Sequence, residues 1–505
     1  MDGLPHRIYT AAQVRELDRA AAGSGLAGEE LMERAGAYAW ETMHARWPAA
    51  RSLSVLCGIG NNGGDGYVVA RLAHEAGLVV EVYQLGDPDA VQGEAAAARE
   101  RLLAVGVEPQ AYAGQPLIGQ LVVDALFGTG LRRPVEGPWR AAVDACNEAL
   151  RPVVALDVPS GLQADTGAVL GACVQADLTV SFVGLTLGLF TGRGPAVTGE
   201  LAFSDLGLPA ELQAQAKPVA ERLDLARVRP WLAPRPRDAH KGQHGHVLVV
   251  GGEHGMAGAA QLAATAALRA GAGLVSVATR GIHAPLLSAA RPELMALGVE
   301  SPGELERVLA RATVLALGPG LGRGRWGTEL LQYLLERAHV PLVLDADALN
   351  LIAEHEALAD QVAAGSRPRV LTPHPGEAAR LLACTVEEVQ ADRYSAVRAL
   401  QGRFGGVWIL KGAGSLVAGA GRAVGVVHGG NPGMAGGGMG DALTGIVAAL
   451  LGQGLSAWQA AAYGATLHAA AADAAAEEGE RGLLASDLMP HIRRLCNGEA
   501  DGADD

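Results

Sequence analysis

Residues 52–73 read SLSVLCGIGNNGGDGYVVARLA, and this stretch decides the fold class. The apolar run 52–57 predicts a buried strand, the glycines within 58–66 predict a tight turn, and 66–76 predicts a helix. Four more apolar runs of the same kind lie at 79–85, 121–126, 152–157 and 177–182. Because strands alternate with helical segments, we predict a parallel, doubly wound α/β sheet with its ligand site at the carboxyl ends of the strands.

A second α/β pattern begins after an irregular, proline-interrupted stretch at 217–241, and we predict the domain boundary near 216–225. Its predicted strands are 246–252, 273–279, 313–318, 341–346, 369–372 and 407–412. Its predicted long helices are 257–270, 441–451 and 457–476. The two blocks share a fold class but no motif, so they predict two domains with separate sites.

Charge and cysteine content exclude several classes of protein. The 505 residues include 40 Lys and Arg against 54 Asp and Glu, a formal net charge of −14. Such a chain lacks the overall basic character of a nucleic-acid-binding protein, although net charge does not exclude a local basic patch. The five cysteines are scattered and form no C-x-x-C pair. This argues against a disulfide framework or a zinc site and favours a reducing compartment.

The sequence also argues against a membrane protein. Its first residues contain no apolar core of a secretory signal, and the longest run without charged residues is 442–472. That run suits two buried helices better than a membrane span, because it is interrupted by Gly452, Gln453, Gly454, Gln459 and His468. We therefore expect a cytoplasmic protein with neither a membrane nor a nucleic acid as partner.

Polar residues follow several of the predicted strands in the first block. The loop 58–66 offers glycine N–H groups that can approach a phosphate closely, although a tight strand–helix turn would explain the same glycines. Asn62, Asp124 and Ser160 offer hard oxygen ligands, which suit an alkali or alkaline-earth cation better than a soft metal. Asp157, at a predicted strand tip, is a candidate acid or base, with a turn or cap aspartate as the alternative.

Three motifs of this block resemble the YjeF N-terminal domain of the NAD(P)H-hydrate epimerases. They are GNNGGDG at 60–66, DALFGTGL at 124–131 and DVPSGL at 157–162. The resemblance covers about residues 8–210. It implies a Rossmann-like domain at 1–216 that interconverts the R and S forms of hydrated NAD(P)H.

The resemblance also implies roles for individual residues. Those it assigns to the hydrated dinucleotide are Asn61, Asn62, Gly63, Gly64, Asp65, Gly66, Gly128, Thr129, Gly130, Leu131, Arg132, Arg133, Pro134 and Asp157. It further implies a potassium ion on Asn62, Asp124 and Ser160, with Asp157 beside the reacting nicotinamide ring. One position departs from the family pattern, since Thr186 stands where related sequences often carry a lysine. Loss of that cation could weaken phosphate binding, or Arg193 could replace it.

The second block contains NPGMAGGGMGDALTG at 431–445, in which five glycines precede Asp441 in the first turn of a predicted helix. Backbone N–H groups at a helix N-terminus stabilise the charge on a transferred phosphoryl group. An acidic residue there also stabilises the helix by about 0.3–1 kcal/mol, so capping is an alternative role for Asp441. Capping does not explain the glycines.

This turn and five further motifs resemble the ribokinase-like, ADP-dependent NAD(P)H-hydrate dehydratases over about residues 223–497. The motifs are KGQHGHVLVVGG at 241–252, GPGLG at 318–322, DADALN at 345–350, LTPHPGEAARL at 371–381 and LKGAG at 410–414. The resemblance implies a domain at 223–498 in which Asp441 is the base that activates the acceptor hydroxyl.

Further contacts in this domain are implied by the same resemblance. Those to the adenine nucleotide are Lys411, Gly412, Ala413, Gly414, Ser415 and Gly440. Those to the hydrated nicotinamide are Ala259, Gly320, Gly322, His374 and Asp441. A separate group of histidines has no zinc spacing and is predicted to lie in loops and on the surface: His240, His244, His246 and His254.

Together the two resemblances imply a bifunctional enzyme that repairs nicotinamide cofactors and acts as a homo-oligomer. Its substrates would be hydrated NADH and NADPH, and ADP would donate a phosphoryl group with magnesium bridging the phosphates. Phosphorylation of the C6 hydroxyl would turn it into a leaving group. Two alternatives are a plain small-molecule kinase in the second domain and a non-catalytic scaffold or RNA-binding module in the first.

Overall fold

The structure is a computed structural model that describes residues 3–23 and 26–498. The chain divides into two compact units, Met1–Glu221 and Arg222–Asp505. Within the described residues, no helix is both long enough and apolar enough to cross a membrane.

Short apolar strands alternate with helices through the N-terminal unit. Its strands are β1 (Arg7–Ile8), β2 (Ser52–Cys57), β3 (Val79–Gln84), β4 (Gln110–Ala111), β5 (Leu121–Ala125), β6 (Val153–Leu156), β7 (Leu178–Phe182) and β8 (Glu200–Ser204). The next strand, β9 (Ala220–Leu223), contains the point at which the chain divides into the two units. Its helices are α1 (Ala11–Gly23), α2 (Gly28–Arg46), α3 (Asn61–Glu75), α4 (Gly93–Ala104), α5 (Gly137–Glu148), α6 (Gly194–Val197) and α7 (Ala210–Gln215).

The strands β2 to β8 form a parallel sheet in the order β4-β3-β2-β5-β6-β7-β8. The strand order reverses between β2 and β5, which is where a doubly wound sheet opens its ligand crevice. β1 pairs antiparallel with β9 outside this order. The loops that follow β2, β5 and β6 therefore meet at one edge of the sheet.

The C-terminal unit repeats the alternation on a larger scale. Its strands are β10 (His246–Val250), β11 (Leu274–Thr279), β12 (Met295–Gly298), β13 (Val314–Leu317), β14 (Leu342–Leu344), β15 (Arg369–Leu371), β16 (Val407–Leu410), β17 (Leu416–Ala418) and β18 (Val424–Val427). Its helices are α8 (Leu225–Val228), α9 (Ala257–Arg269), α10 (Ala284–Ala290), α11 (Glu306–Leu309), α12 (Arg325–Arg337), α13 (Ala346–Glu354), α14 (Glu356–Ala364), α15 (Pro375–Leu382), α16 (Val386–Ala391), α17 (Arg393–Phe404), α18 (Met439–Gly452), α19 (Ala457–Ala475) and α20 (Leu488–Cys496).

In this unit the parallel strands run in the order β12-β11-β10-β13-β14-β15-β16, and β17 and β18 continue the sheet antiparallel. The order reverses between β10 and β13. The core is made of the apolar strands together with α9, α18 and α19, most of whose alanines are buried. The uncharged run 442–472 thus forms two buried helices, as predicted.

Every strand predicted from an apolar run is present, with its ends within two residues of the prediction. The predicted start of the first glycine-turn helix is wrong, because α3 begins at Asn61 rather than at residue 66. The first turn of a helix leaves its N–H groups unpaired, so asparagine and glycine are tolerated there.

The prediction of a loop or surface position for His246 is also wrong. His246 lies in β10 and is buried, with its Nε2 atom 2.8 Å from the Ser276 hydroxyl oxygen of the neighbouring strand. That hydrogen bond satisfies the imidazole, which is how a polar ring is accommodated in a parallel strand covered on both faces.

Backbones approach closely at both points where the strand order reverses. A Cβ atom on Gly58, which follows β2, would lie 2.1 Å from the carbonyl oxygen of Leu126, which follows β5. A Cβ atom on Gly251, after β10, would lie 2.0 Å from the carbonyl oxygen of Pro319, after β13. Only glycine fits at such separations.

Two helices of the C-terminal unit pack at backbone contact as well. A Cβ atom on Gly445 of α18 would lie 1.9 Å from the carbonyl oxygen of Ala263 in α9. Since the obstacle is backbone rather than a side chain, the helices must separate to admit a methyl group.

We therefore expect Gly445→Ala to lower the free energy of unfolding by about 1–3 kcal/mol, the usual range for overpacking a core. Gly258→Ala in α9 is the matched control, since a Cβ there meets no atom within 4 Å. Chemical denaturation followed by circular dichroism measures both. Equal stability of the Gly445→Ala protein and the wild type would contradict the close approach of the helices.

Candidate active sites

In the N-terminal unit, Asp124 and Ser160 form a buried polar pair at the strand ends. The Asp124 carboxylate accepts hydrogen bonds from the N–H of Ser160 at 2.8 Å and from its hydroxyl at 2.6 Å. Burial raises the pKa of Asp124 to about 6, while these hydrogen bonds act to lower it. Ser160 Oγ also accepts a hydrogen bond from the N–H of Phe127 at 2.8 Å, so it joins the loop after β6 to the loop after β5.

Asn62 lies in the first turn of α3, after β2, and is 8% exposed. Neither its amide oxygen nor its amide nitrogen has a hydrogen-bond partner among the residues that the structure describes. A buried amide without partners is costly unless a ligand or water satisfies it. A Cβ atom on Gly128 would lie 2.4 Å from Asp157 Oδ2 and 3.5 Å from Asn62 Cβ. Gly128 therefore brings these two side chains to one point of the loop.

Asp157 follows β6 with a φ of 66°, a left-handed conformation that aspartate adopts more readily than most residues. Its Oδ2 accepts a hydrogen bond from the N–H of Thr129 at 2.8 Å. Burial raises the pKa of Asp157 to about 6, and the Thr129 hydrogen bonds oppose that rise. The group can therefore give up or take a proton close to neutral pH.

Two more carboxyl groups share this environment. Burial, followed by the charges of Asp157 and Asp18, raises the pKa of Asp65. Burial and the charge of Asp157 raise the pKa of Asp18, on α1, to about 6. Sequence reasoning missed Asp18, because α1 carries no motif and one aspartate in an amphipathic helix looks like a solvent-facing residue.

The other residues predicted to contact the dinucleotide form two groups. Gly63, Gly64 and Gly66 are buried in the first turns of α3, beside the exposed Asn61. The loop 129–134 joins β5 to α5 and contains buried Leu131 and exposed Gly130, Arg132, Arg133 and Pro134. Thr186 is fully buried, whereas Arg193 is exposed.

In the C-terminal unit, an ion pair forms where β14 and β16 end. The ammonium nitrogen of Lys411 lies 2.7 Å from Asp345 Oδ1, and the second carboxylate oxygen accepts a hydrogen bond from the Thr444 hydroxyl at 2.8 Å. Burial on its own lowers the pKa of Lys411, but the carboxylates of Asp345, Glu377 and Asp441 raise it by more. The lysine is one of three in the chain and is held in its charged form.

Asp441 lies in the first turn of α18, next to this pair. Burial, followed by the charge of Asp345, raises the pKa of Asp441 to about 7, and Lys411 acts in the opposite direction. A carboxylate with a pKa near the working pH is suited to general-base catalysis. A Cβ atom on the preceding Gly440 would lie 3.0 Å from the Lys411 ammonium nitrogen. The helix N-terminus and the ammonium group therefore face the same small space.

His374 follows β15 and caps α15. Its Nδ1 accepts hydrogen bonds from the N–H groups of Gly376 at 2.9 Å and Glu377 at 3.3 Å. Burial, then the charges of Lys411 and Arg380, lowers the pKa of the ring, so it is neutral at pH 7. Because Nδ1 is an acceptor here, the proton resides on Nε2 of this half-exposed ring. The structural role of His374 as a helix cap exists alongside the substrate contact predicted for it.

The loop that carries the second glycine cluster is fixed at both ends by α19. The Asp473 carboxylate accepts hydrogen bonds from the N–H of Gly430 at 2.8 Å and from the side-chain amide of Asn431 at 3.0 Å. The ring of buried His468 lies beside the backbone of Met439, where α18 begins, and its Nε2 has no partner in the described part of the chain. Sequence reasoning gave neither residue a role in the site, although they are two of the few polar positions of an otherwise alanine-rich helix.

The remaining predicted contacts lie at neighbouring strand ends. Gly320 has a φ of 58°, and a Cβ atom on it would lie 3.2 Å from the Cβ of Ala259 on α9. The N–H of Gly322 donates to Asp347 Oδ2 at 2.9 Å. After β16, the turn formed by Lys411, Gly412, Ala413, Gly414 and Ser415 is closed by a 3.2 Å hydrogen bond from the Gly412 N–H to the Ser415 hydroxyl oxygen.

The chain matches two known sequence families. Residues 28–188 match the family described as YjeF-related protein N-terminus, and residues 247–494 match the family described as NAD(P)H-hydrate dehydratase. A bifunctional NAD(P)H-hydrate repair enzyme of Coxiella burnetii is 48% identical over 493 residues, which is 97% of this chain and 99% of that protein. The chain belongs to the bifunctional NAD(P)H-hydrate repair enzymes.

Other comparisons agree with this family. The bifunctional NAD(P)H-hydrate repair enzyme of Escherichia coli is 46% identical over 502 residues, 98% of this repair enzyme and 95% of the relative. A solved ribokinase-like superfamily protein from Enterococcus faecalis has a TM-score of 0.51 and 27% sequence identity, and the match covers 56% of this chain and 97% of that one. The predicted ribokinase-like fold and the predicted bifunctional enzyme class are both confirmed.

The ion pair of the C-terminal unit supports a stability prediction for the repair enzyme. Lys411→Met leaves the Asp345 carboxylate, which is 1% exposed, without its cation. We expect a loss of about 3–5 kcal/mol in the free energy of unfolding, as for other buried pairs broken on one side.

Denaturant titration of four proteins tests this expectation. Lys411→Met combined with Asp345→Asn should recover part of the loss, because no unpaired charge remains. Lys241→Met removes an exposed lysine and serves as the control. If Lys411→Met and Lys241→Met are equally stable, the ion pair has no structural role.

Proposed function

We propose that the N-terminal unit interconverts the R and S forms of hydrated NADH and NADPH, and that the C-terminal unit returns the S form to NADH or NADPH at the expense of ADP. The observation that carries the proposal is Asp441. Its carboxyl group, with a pKa of about 7, lies at the glycine-rich N-terminus of α18 beside the Lys411–Asp345 ion pair. A base, a cation and free backbone N–H groups in one place suit phosphoryl transfer.

The donor nucleotide is proposed to bind against Lys411, Gly412, Ala413, Gly414, Ser415 and Gly440. The short approach between Gly440 and the Lys411 ammonium group supports a phosphate position there, since glycine N–H groups and a cation both stabilise phosphate oxygens. The carboxylate of Asp347 offers the hard oxygen donors that magnesium prefers. Magnesium held there would neutralise negative charge on the donor phosphates.

The acceptor is the hydroxyl on C6 of the hydrated nicotinamide ring, with Ala259, Gly320, Gly322 and His374 proposed as its surroundings. Asp441 takes the hydroxyl proton, and the oxygen bonds to the terminal phosphorus of ADP. The bond from that phosphorus to the bridging oxygen breaks and releases AMP. General-base assistance of this kind typically contributes about 10²–10⁴-fold to the rate.

Phosphorylation matters because hydroxide is a poor leaving group. The C6–O bond of the phosphorylated ring breaks with its electron pair on the departing phosphate, and the lone pair of the ring nitrogen stabilises the resulting cation. Loss of a proton from C5 then restores the C5=C6 double bond. The sum of the two stages is loss of water from the hydrate and conversion of ADP to AMP and phosphate.

In the N-terminal unit, Asp157 is proposed to move a proton at the C6 oxygen while the C6–O bond reorganises. Support comes from its pKa of about 6 and from its contact with the loop after β5. The hydrated dinucleotide would lie along residues 61–66 and 128–134. Potassium is proposed on Asn62, Asp124 and Ser160, because the unpartnered amide of Asn62 needs a ligand and all three residues offer hard oxygens. It would supply a fixed positive charge near the phosphates.

We further propose domain limits of 1–216 and 223–498, on either side of the division between Glu221 and Arg222. The cytoplasm is the proposed location. Its reducing conditions agree with five free cysteines.

The direct test follows dihydronicotinamide absorbance after a mixed R and S hydrate of NADH is supplied with magnesium, potassium and either ADP or ATP. Complete recovery with ADP, faster than spontaneous epimerisation without enzyme, supports both activities. Recovery that stops near the S fraction contradicts the epimerase proposal and points to Thr186. Accumulation of a stable phosphorylated product would identify a plain kinase instead.

Single substitutions should separate the two activities. We expect Asp441→Asn to lower the dehydration rate by at least about 10²-fold and to leave epimerisation unchanged, because only the C-terminal site loses its base. Asp157→Asn should do the reverse. Asp144→Asn is the control, since this half-exposed residue of α5 lies in a surface ion pair with Arg140. Loss of both activities from either active-site substitution, in a folded protein, contradicts the separate sites.

Dehydration should also depend on pH with a defined sign. At pH values below its pKa of about 7, the Asp441 carboxyl is protonated and cannot accept the hydroxyl proton. We therefore expect kcat to level off above about pH 7 and to fall roughly tenfold per pH unit below about pH 6. Initial rates with saturating S hydrate and ADP measure this. A flat profile from roughly pH 5.5 to 8 would exclude Asp441 as the base.

A further inference from the structure

A cavity of about 1000 Å³ lies in the C-terminal unit, at the opposite end of the helices from Asp441. Its wall includes Gln453, the residue after α18, twelve positions beyond Asp441. At 1.5 Å per helical residue, the cavity is about 18 Å from the candidate active site. It is therefore a separate place in the fold, and neither proposed reaction uses it.

Four arginines line this cavity: Arg229, Arg235, Arg269 and Arg493. No aspartate or glutamate lies among its described lining residues, and none of the four guanidinium groups is within 4 Å of a carboxylate in the described chain. The whole chain has a net charge of −14, so four arginines around one concave surface with no carboxylate among its described lining residues are a local concentration of positive charge.

One of these arginines has an ordinary structural role. Arg235 donates to the carbonyl oxygen of Gly271, just after α9, and to the side-chain oxygen of Gln453 at 3.1 Å. Such contacts satisfy the free carbonyl groups at the end of a helix. Arg229, Arg269 and Arg493 make no such side-chain hydrogen bond within the described residues, so helix capping does not account for them.

The rest of the wall is mostly apolar and includes Leu232, Leu268 and Pro230, with Gln453 and Asn497 as its polar residues. A purely inorganic ion would use only the guanidinium groups, whereas an organic body would also cover the leucines. The volume lies at the upper end of the range for small-molecule sites, about 300–1,000 Å³. Guanidinium groups bind phosphate through paired, charge-assisted hydrogen bonds.

We propose that this arginine cavity binds an organic polyphosphate of nucleotide or dinucleotide size, at a site distinct from both candidate active sites. The phosphates would pair with Arg229, Arg269 and Arg493, and the organic part would lie on the leucines. The shared chemistry is a multiply charged phosphate chain, which both nucleoside polyphosphates and dinucleotides carry.

Isothermal titration calorimetry of the full-length protein with inorganic tripolyphosphate, ATP and NADPH tests the proposal. Three proteins are compared at about 0.1 M salt, where long-range charge effects are screened. They are the wild type, Arg229→Gln with Arg493→Gln, and a control with the same change in charge, Arg307→Gln with Arg325→Gln. Both control arginines are exposed and lie outside the cavity.

We expect the affinity of one binding event to fall at least about tenfold in the cavity variant alone. A protein that carries both Arg229→Lys and Arg493→Lys should regain that affinity. Binding of ATP or NADPH tighter than that of tripolyphosphate identifies a contribution from the apolar wall. Phosphate binding that stays equal in all three proteins belongs to the nucleotide site near Lys411 and overturns the proposal. Equal weakening in both double variants, or binding by tripolyphosphate alone, overturns it as well.

A further variant separates an external ligand from the acidic residues that follow Asn497 in the sequence, Glu499, Asp501, Asp504 and Asp505. A chain shortened to residues 1–498 should bind the polyphosphates as the full chain does. Binding that appears only after this shortening would mean that acidic side chains of the protein itself occupy the arginines, and the proposal would fail. Thermal unfolding confirms that each variant is folded.

Discussion

Contact between main chains at the strand-order reversals is the constraint on which both units depend. In each unit a glycine after the central strand lies so close to a carbonyl group of the next loop that no side chain fits between them. Gly58 and Gly251 hold these positions, one in each unit. The loops after these neighbouring strands therefore lie against each other. The same edge of each sheet carries a polar pair, Asp124 with Ser160 in one unit and Asp345 with Lys411 in the other.

The two sites treat buried negative charge differently. In the N-terminal unit, burial raises the pKa of Asp18, Asp65 and Asp157, and the charge of Asp157 raises the pKa of the other two further. None of the three forms an ion pair within the described residues. In the C-terminal unit, the carboxylates surround the Lys411 ammonium group, which remains charged. The first arrangement favours proton exchange at a neutral or cationic ring. The second favours a base beside an anionic phosphate chain, because the lysine compensates the added charge.

The fold could be predicted from sequence because both units use short apolar strands that are buried on both faces, and apolar runs mark such strands directly. The short edge strands β4 and β12 were not predicted, since few of their residues are buried. Motif residues such as Asp157 and Asp441 were identified through their position after strands and glycine turns. Asp18 and Asp473 were not, because each becomes part of a site only through tertiary contacts across long stretches of chain. His374 shows a further limit: the motif indicated its importance but not that its ring caps α15.

The attachment of the glycine loop to α19 fixes how many residues that loop can contain. His468 and Asp473 are five positions apart on one helix, a rise of about 7.5 Å. Asp473 holds the Gly430 end of the segment by hydrogen bonds, and His468 lies beside the Met439 end. The spacing of these two residues on α19 therefore sets the distance between the two ends of the segment. Side chains at open positions such as Gly437 can vary during evolution, whereas insertions and deletions would detach one end. Substitutions in this segment are therefore tolerated more readily than changes in its number of residues.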